Sequence, residues 1–253
     1  MKTAVITGAS SGLGREFTRQ LHDVFPEVER VWLIARRAER LQELAEQLEE
    51  QGLSTLVLPL DLCDTMSFTA YQEHLVEEQP EIVLLVNNAG LGYLGSIGTV
   101  DTASQTRMID LNLRALTAVT NLSVPYMDAG SRILNVSSIA SFCPTPRMTV
   151  YSATKAYVSA YTIGAAEELR PRGITVTAVC PGPMATEFLE VGHVIDSPPF
   201  EHLPYCDQVR VAGGALRAAR AGQTIYTPRL IYKFYRLLAK LTPAKVMVKL
   251  TKT

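Results

Sequence analysis

The sequence predicts an α/β protein of the Rossmann type: one doubly wound, mostly parallel, seven-stranded sheet with helices on both faces. Three observations predict it. Short β-branched runs alternate with amphipathic stretches along residues 3–227, as in strands joined by right-handed helical crossovers. The runs are apolar on both faces, as expected of strands covered on both sides. A Gly/Ser-rich turn, Thr7-Gly8-Ala9-Ser10-Ser11-Gly12-Leu13-Gly14, separates the first run from the first helix, and open parallel sheets take ligands at such strand ends.

Thr3–Thr7 reads as the first strand, followed by helical spacing over Leu13–Val24. Arg30–Ala35 is the second strand. Leucines at 41, 44 and 48 share one face of a helix over Ala38–Gln51, and Gly52 stops it. Thr55–Leu60 is the third strand, with a helix over 65–79. Glu81–Val86 is the fourth strand, with one long helix over 101–128. Arg132–Ser137 is the fifth and is followed by a helix over 150–170. Gly173–Val179 is the sixth, a helix covers 205–221, and Gln223–Thr227 is the last strand. No repeat or linker interrupts this series, so residues 1–227 read as one domain.

At 253 residues the chain is long enough for a substantial core. Its net charge of −1 argues against nucleic-acid binding, and 47% hydrophobic residues argue against disorder. No apolar run approaches the roughly 20 residues that span a bilayer. The N-terminus enters a strand pattern at once, leaving no room for a signal peptide. Cys63, Cys143, Cys180 and Cys206 form no Cys-x-x-Cys pair and read as reduced thiols, so the expected location is cytoplasmic. His22, His74, His193 and His202 show no ligand spacing with them, so no metal site is expected.

The chemistry is read from the residues just after each strand. The glycine-rich turn lets backbone approach a pyrophosphate, with Gly8, Ser10, Ser11, Gly12, Leu13 and Gly14 opening the helix whose N-terminus favours an anion. After strand two, an acidic residue would bind ribose hydroxyls and mark NAD. Ala35 stands there instead, followed by Arg36 and Arg37. A guanidinium suits a 2′-phosphate, which favours NADP(H). Asp61 and Leu62 are placed to meet the adenine. Asn87-Asn88-Ala89-Gly90 can line the cofactor or tie strands together.

Asn135-Val136-Ser137-Ser138 follows strand five, and Tyr151 and Lys155, four residues apart, share one helix face. A tyrosine with an ordinary pKa near 10 is a poor base at neutral pH. A neighbouring ammonium favours the phenolate. Ser138 can hydrogen-bond a substrate oxygen while Tyr151 passes a proton to or from it.

These features together resemble the short-chain dehydrogenase/reductase family, in order and over residues 3–190. They are Thr-Gly-x-x-x-Gly-x-Gly at 7–14, Asn-Asn-Ala-Gly at 87–90, Asn112, Ser138, Tyr151, Lys155 and Pro181-Gly182. The resemblance implies that Asn112 holds a water in the proton relay and that Lys155 also binds the nicotinamide ribose. It implies that Pro181, Gly182 and Thr186 flank the nicotinamide and its phosphate. A basic residue after strand two often sets NADP preference in the family, matching Arg36. The stretch His22–Arg30 is longer than is usual there, which leaves open whether Arg36 or Arg37 meets the phosphate. The family's members are mostly dimers or tetramers, so a homodimer or homotetramer is expected. Ala-Arg-Arg-Ala-Glu-Arg-Leu and Pro-Gly-Pro-Met-Ala-Thr-Glu-Phe are similar to a branch with ketone and steroid reductases.

The substrate is expected against Leu91–Gly98, Ile139–Val150 and a lid over Thr186–Pro204. These offer Tyr93, Phe142, Cys143, Met148, Met184 and Phe188, an apolar set suited to a ketone or steroid-like carbonyl or its alcohol. Cys143 reads as a packing residue rather than a reactive thiol. The alternatives are 3-oxoacyl thioester reduction at the same site and an NADPH sensor without turnover. An epimerase is disfavoured by the short chain and the glycine spacing.

The charge is uneven. Residues 208–253 carry ten cations and no acid, so the first 207 carry −11. Within 228–253, Leu230, Ile231, Phe234, Leu237, Leu238 and Leu241 form an apolar stripe beside Lys233, Arg236 and Lys240. Such a basic amphipathic extension can lie on an anionic membrane, cover the pocket or join subunits.

Overall fold

The computed structural model describes residues 1–188 and 203–251. Its strands are β1 (Lys2–Thr7), β2 (Arg30–Ile34), β3 (Ser54–Leu58), β4 (Glu81–Asn87), β5 (Arg132–Val136), β6 (Thr175–Val179) and β7 (Ile225–Tyr226). They form one seven-stranded sheet in the order β3-β2-β1-β4-β5-β6-β7, with every neighbouring pair parallel. The order reverses between β1 and β4, which opens a crevice at their carboxyl ends.

The helices are α1 (Gly12–Arg19), α2 (Leu21–Val24), α3 (Ala38–Glu49), α4 (Met66–Glu78), α5 (Thr102–Ile109), α6 (Leu116–Ser123), α7 (Thr149–Leu169), α8 (Gln208–Arg220), α9 (Leu230–Leu241) and α10 (Ala244–Leu250). Neighbouring strand residues point to opposite faces, and this builds two cores. Ile6 and Leu33 join Phe17, Leu44, Leu48 and Leu216 under α1, α3 and α8. Val5 and Trp32 join Tyr71, Leu75 and Val119 under α4 and α6. Burying a leucine such as Leu44 contributes about 1.5–3 kcal/mol. Trp32 meets Tyr71 edge-on, with ring centroids 6.1 Å apart.

Three elements differ from the sequence expectation. The helix expected over Leu13–Val24 breaks at Gln20 into α1 and α2. The helix expected over 101–128 is α5 and α6 joined by a π-helical turn at Asp110–Ala115; hydrophobic spacing does not report one inserted residue in a continuous helix. The last strand is two residues long; among the described residues β7 pairs with Ala178 and Val179.

Beyond β7 the chain folds back on the same unit, with Tyr232 and Met247 buried. Among the described residues no helix is long and apolar enough to cross a membrane.

Candidate active site

A cleft of roughly 690 Å³ opens over the carboxyl ends of the strands. Its floor is the glycine turn. Gly8 has φ +68°, and a Cβ there would lie 2.7 Å from Asn88 Nδ2. A Cβ on Gly14 would lie 2.1 Å from the Gly8 carbonyl oxygen. Thr7 Oγ1 accepts from the Asn88 and Ala89 N–H groups, both at 3.0 Å. Asn88 Nδ2 donates to Thr7 O at 3.1 Å and Gly8 O at 3.2 Å. The turn therefore packs too tightly for side chains and ends at the N-terminus of α1, whose first-turn N–H groups lack helical partners. A dinucleotide's pyrophosphate fits this cradle.

Ser10, Ser11, Gly12, Leu13, Ala89 and Gly90 line the cleft beside it, while Gly14 sits behind the turn. Asn87 is a correction. Its amide turns to the opposite face of the sheet, donating to Thr120 Oγ1 and Asn135 Oδ1, both at 2.9 Å. Strand period two sends Asn87 and Asn88 apart, so only Asn88 lines the cleft.

At the far end, Arg36, Arg37, Asp61 and Leu62 line the wall. Arg36 is exposed and makes no hydrogen bond or ion pair among the described residues. Arg37 donates to Ser10 Oγ at 3.1 Å and to Glu187 Oε2 at 2.7 Å. Arg40 meets the other Glu187 oxygen at 2.6 Å. Hydrogen bonds from Arg40 and Arg37 hold the Glu187 carboxyl below its usual range. Burial pushes Asp61 up, but the Cys63 N–H and the charges of Arg107 and Arg36 outweigh it, so Asp61 also titrates low. Sequence reasoning missed Arg40, Arg107 and Glu187; Glu187 is 147 residues from Arg40, and no local pattern joins them.

Ser138, Tyr151 and Lys155 meet in the centre. The Tyr151 phenol and the Ser138 hydroxyl both line this part of the cleft, and Ser138 favours the phenolate. Lys155 Nζ donates to Val136 O at 2.8 Å and lies 5.8 Å from the Tyr151 ring centroid. Burial holds Lys155 down at about 8. The sequence expectation is that this ammonium lowers Tyr151; burial instead pushes Tyr151 up to about 12, with Ser138 opposing it. The desolvated phenol thus keeps its proton.

Asn112 is buried behind this centre, in the π-helical turn. Its Nδ2 donates to Leu91 O at 2.8 Å and to Thr154 Oγ1 at 2.9 Å, and its Oδ1 accepts from Leu91 N at 2.9 Å. Both amide hydrogens are used within the fold, and the side chain does not line the cleft. It positions the Gly90-Leu91 loop against α7.

Pro181, Gly182, Thr186, Met148, Met184 and Phe188 line the near wall, and the Phe188 ring lies 5.5 Å from that of Tyr151. Three substrate candidates do not line the cleft themselves. Tyr93 packs against the cluster of Met108, Met148 and Tyr151. Phe142 packs on Tyr235 at 6.1 Å. Cys143 is buried beside Thr251. In their place Ile231, Tyr232, Tyr235 and Thr251, from the C-terminal extension, complete the wall. Only the three-residue spacing of Tyr232 and Tyr235, opposite the leucine stripe, hinted at them. The expected lid lies mostly outside the described residues.

A parallel sheet with a phosphate cradle and a Ser-Tyr-Lys centre at its switch point defines an oxidoreductase. The chain belongs to the short chain dehydrogenase family, whose model matches residues 2–192. It is 37% identical over 191 residues to sulfoacetaldehyde reductase 2 of Chromohalobacter salexigens, covering 73% of each chain. It is 33% identical over 196 residues to the very-long-chain 3-oxoacyl-CoA reductase of Anas platyrhynchos, covering 74% of this chain and 61% of that one. A short-chain dehydrogenase from Sphingobium yanoikuyae, solved with NADPH, superposes with TM-score 0.81 at 28% identity, covering 94% of this chain and 92% of that one.

Proposed function

We propose that this protein is an NADP(H)-dependent carbonyl reductase acting on an apolar ketone or the matching secondary alcohol. The observation that carries this is the Ser138–Tyr151–Lys155 centre, set between a phosphate cradle and an apolar wall. Arg36, with no hydrogen bond or ion pair among the described residues, and Arg37 favour the 2′-phosphate; the Sphingobium relative was solved with NADPH. Gly8, Ser10, Ser11, Gly12 and Leu13 would hold the pyrophosphate, Asp61 and Leu62 the adenine, and Pro181, Gly182 and Thr186 the nicotinamide end.

When bound, the nicotinamide supplies or accepts the hydride. Ser138 donates a hydrogen bond to the carbonyl oxygen and polarises it. Tyr151, kept protonated by burial, gives its proton to that oxygen during reduction and takes one back during oxidation. The Lys155 ammonium stabilises negative charge developing on the phenol oxygen. Asn112 positions Leu91 and Thr154 around this centre. The free thiols suit a cytoplasmic location, and assembly as a homodimer or homotetramer belongs to the same reading. The duck relative keeps 3-oxoacyl thioesters as a second substrate class.

The test is NADPH oxidation against aliphatic, aromatic and steroid ketones and 3-oxoacyl thioesters, for the parent and Tyr151→Phe. Turnover of apolar ketones that falls about 10²–10⁴-fold in the variant supports the reading. Binding of NADPH without turnover of any carbonyl points to a sensor instead.

A further inference from the structure

We infer that α9 docks this protein on anionic lipid bilayers and sets the mouth of the cleft at the membrane surface. The helix has two apolar faces. One is used by the fold: Tyr232 is buried, its hydroxyl donates to Pro204 O at 2.8 Å, and Ile231 and Tyr235 line the cleft. The other faces away from the protein. Leu230, Phe234, Leu237 and Leu241 recur at helical spacing and are 82%, 65%, 52% and 74% exposed. Ordinary surface helices turn such a stripe inward.

Charge selects what covers this face. Lys233 and Lys240 are exposed beside the stripe, and α10 adds exposed Lys245 and Lys249 around the half-exposed Val246. No acidic residue lies in α9 or α10 to offset Lys233, Arg236, Lys240, Lys245 and Lys249. A second copy joined through this face would bring two such segments together. An acidic lipid surface neutralises them. The twelve residues of α9 are too few to span a bilayer. An apolar face with a basic flank lies in the headgroup boundary instead.

Position ties the surface to the chemistry. Ile231 lines the cleft yet is 54% exposed on the edge of the stripe. A docked α9 therefore places the cleft mouth against the lipid, where a membrane-dissolved ketone enters without crossing water. This last step rests on the carbonyl-reductase reading; the docking does not.

The test is co-sedimentation of the full chain with phosphatidylcholine vesicles and with vesicles carrying phosphatidylglycerol. The expected result is binding to the acidic vesicles that weakens with salt. A Phe234→Asp, Leu241→Asp variant should lose this binding at least tenfold. A Lys233→Gln, Lys240→Gln, Lys245→Gln variant should bind acidic vesicles less and neutral ones no differently. Both should reduce a water-soluble ketone as the parent does. Acidic vesicles should raise parent turnover of a long-chain ketone several-fold, and not that of the aspartate variant. Vesicle binding without any carbonyl turnover would keep the docking and remove the reductase reading. No binding by the parent, or binding untouched by both variants, overturns the docking. So does a parent dimer, measured by sedimentation velocity, that the aspartate variant dissociates without any vesicle binding.

Discussion

Asn112 and Thr154 are hydrogen-bonded at 2.9 Å, and Thr154 Oγ1 donates in turn to the Tyr151 carbonyl oxygen at 2.7 Å. A π-helical turn is thereby fastened to the helix carrying Tyr151, across a gap of 42 residues in sequence. The turn is local irregularity used for placement: one extra residue rotates Asn112 so that it reaches both Leu91 and α7.

Asn112→Ala removes three hydrogen bonds and leaves the N–H and C=O of half-buried Leu91 unpaired, while Thr154 Oγ1 keeps its bond to Tyr151 O. The expected cost is about 1–3 kcal/mol of stability, read by urea unfolding. The kcat should fall while dinucleotide affinity holds, since the side chain does not line the cleft. Equal losses in both would place Asn112 against the cofactor.

Lys155 predicts a pH dependence of binding. Its ammonium persists below about 8 in the free protein and is lost as pH rises through that value. An anionic dinucleotide prefers the protonated form, which raises the lysine's pKa in the complex. NADPH affinity should therefore be highest below pH 8 and decline above it, by about tenfold. Fluorescence titration of NADPH reads this. Lys155→Met should bind more weakly with a flat profile; a sloping one would assign the effect elsewhere.

The bridge from Arg37 through Glu187 to Arg40 predicts a cofactor effect with little stability effect. Its side chains are roughly two-fifths exposed, so Glu187→Gln should change unfolding free energy by less than about 1 kcal/mol. It should free two guanidiniums and tighten NADPH a few-fold, leaving NADH unchanged. Arg36→Ala should weaken NADPH about 10–100-fold. Equal weakening of NADPH and NADH would show that Arg36 meets no 2′-phosphate.

Gly14→Ala puts a Cβ where Gly8 O now lies. Overpacking of this kind costs about 1–3 kcal/mol and shifts the cradle. Thermal unfolding and NADPH titration should both register it. Normal binding in the variant would mean that the cradle tolerates displacement.

What the sequence made legible was whatever one element or one loop decides. The parallel sheet followed from alternation, because crossover chirality leaves few other solutions. Ser138, Tyr151 and Lys155 followed from their place after β5 and one turn of helix. Side-chain direction in loops was not legible: Tyr93 and Phe142 turn into packing that only the assembled fold supplies. Arg40 and Tyr235 were missed for a related reason. Each acts across a fold-back, with Glu187 or with the cleft, and local spacing carries no trace of it.

The family model ends at residue 192, yet Ile231, Tyr232, Tyr235 and Thr251 complete the wall of the cleft beside Tyr151 and Lys155. On the reading proposed above, proton donor and phosphate cradle lie in one stretch of chain, and part of the mould for the substrate in another. Descent can therefore rework which molecules are admitted by editing the last two helices, while the inherited reaction stays intact.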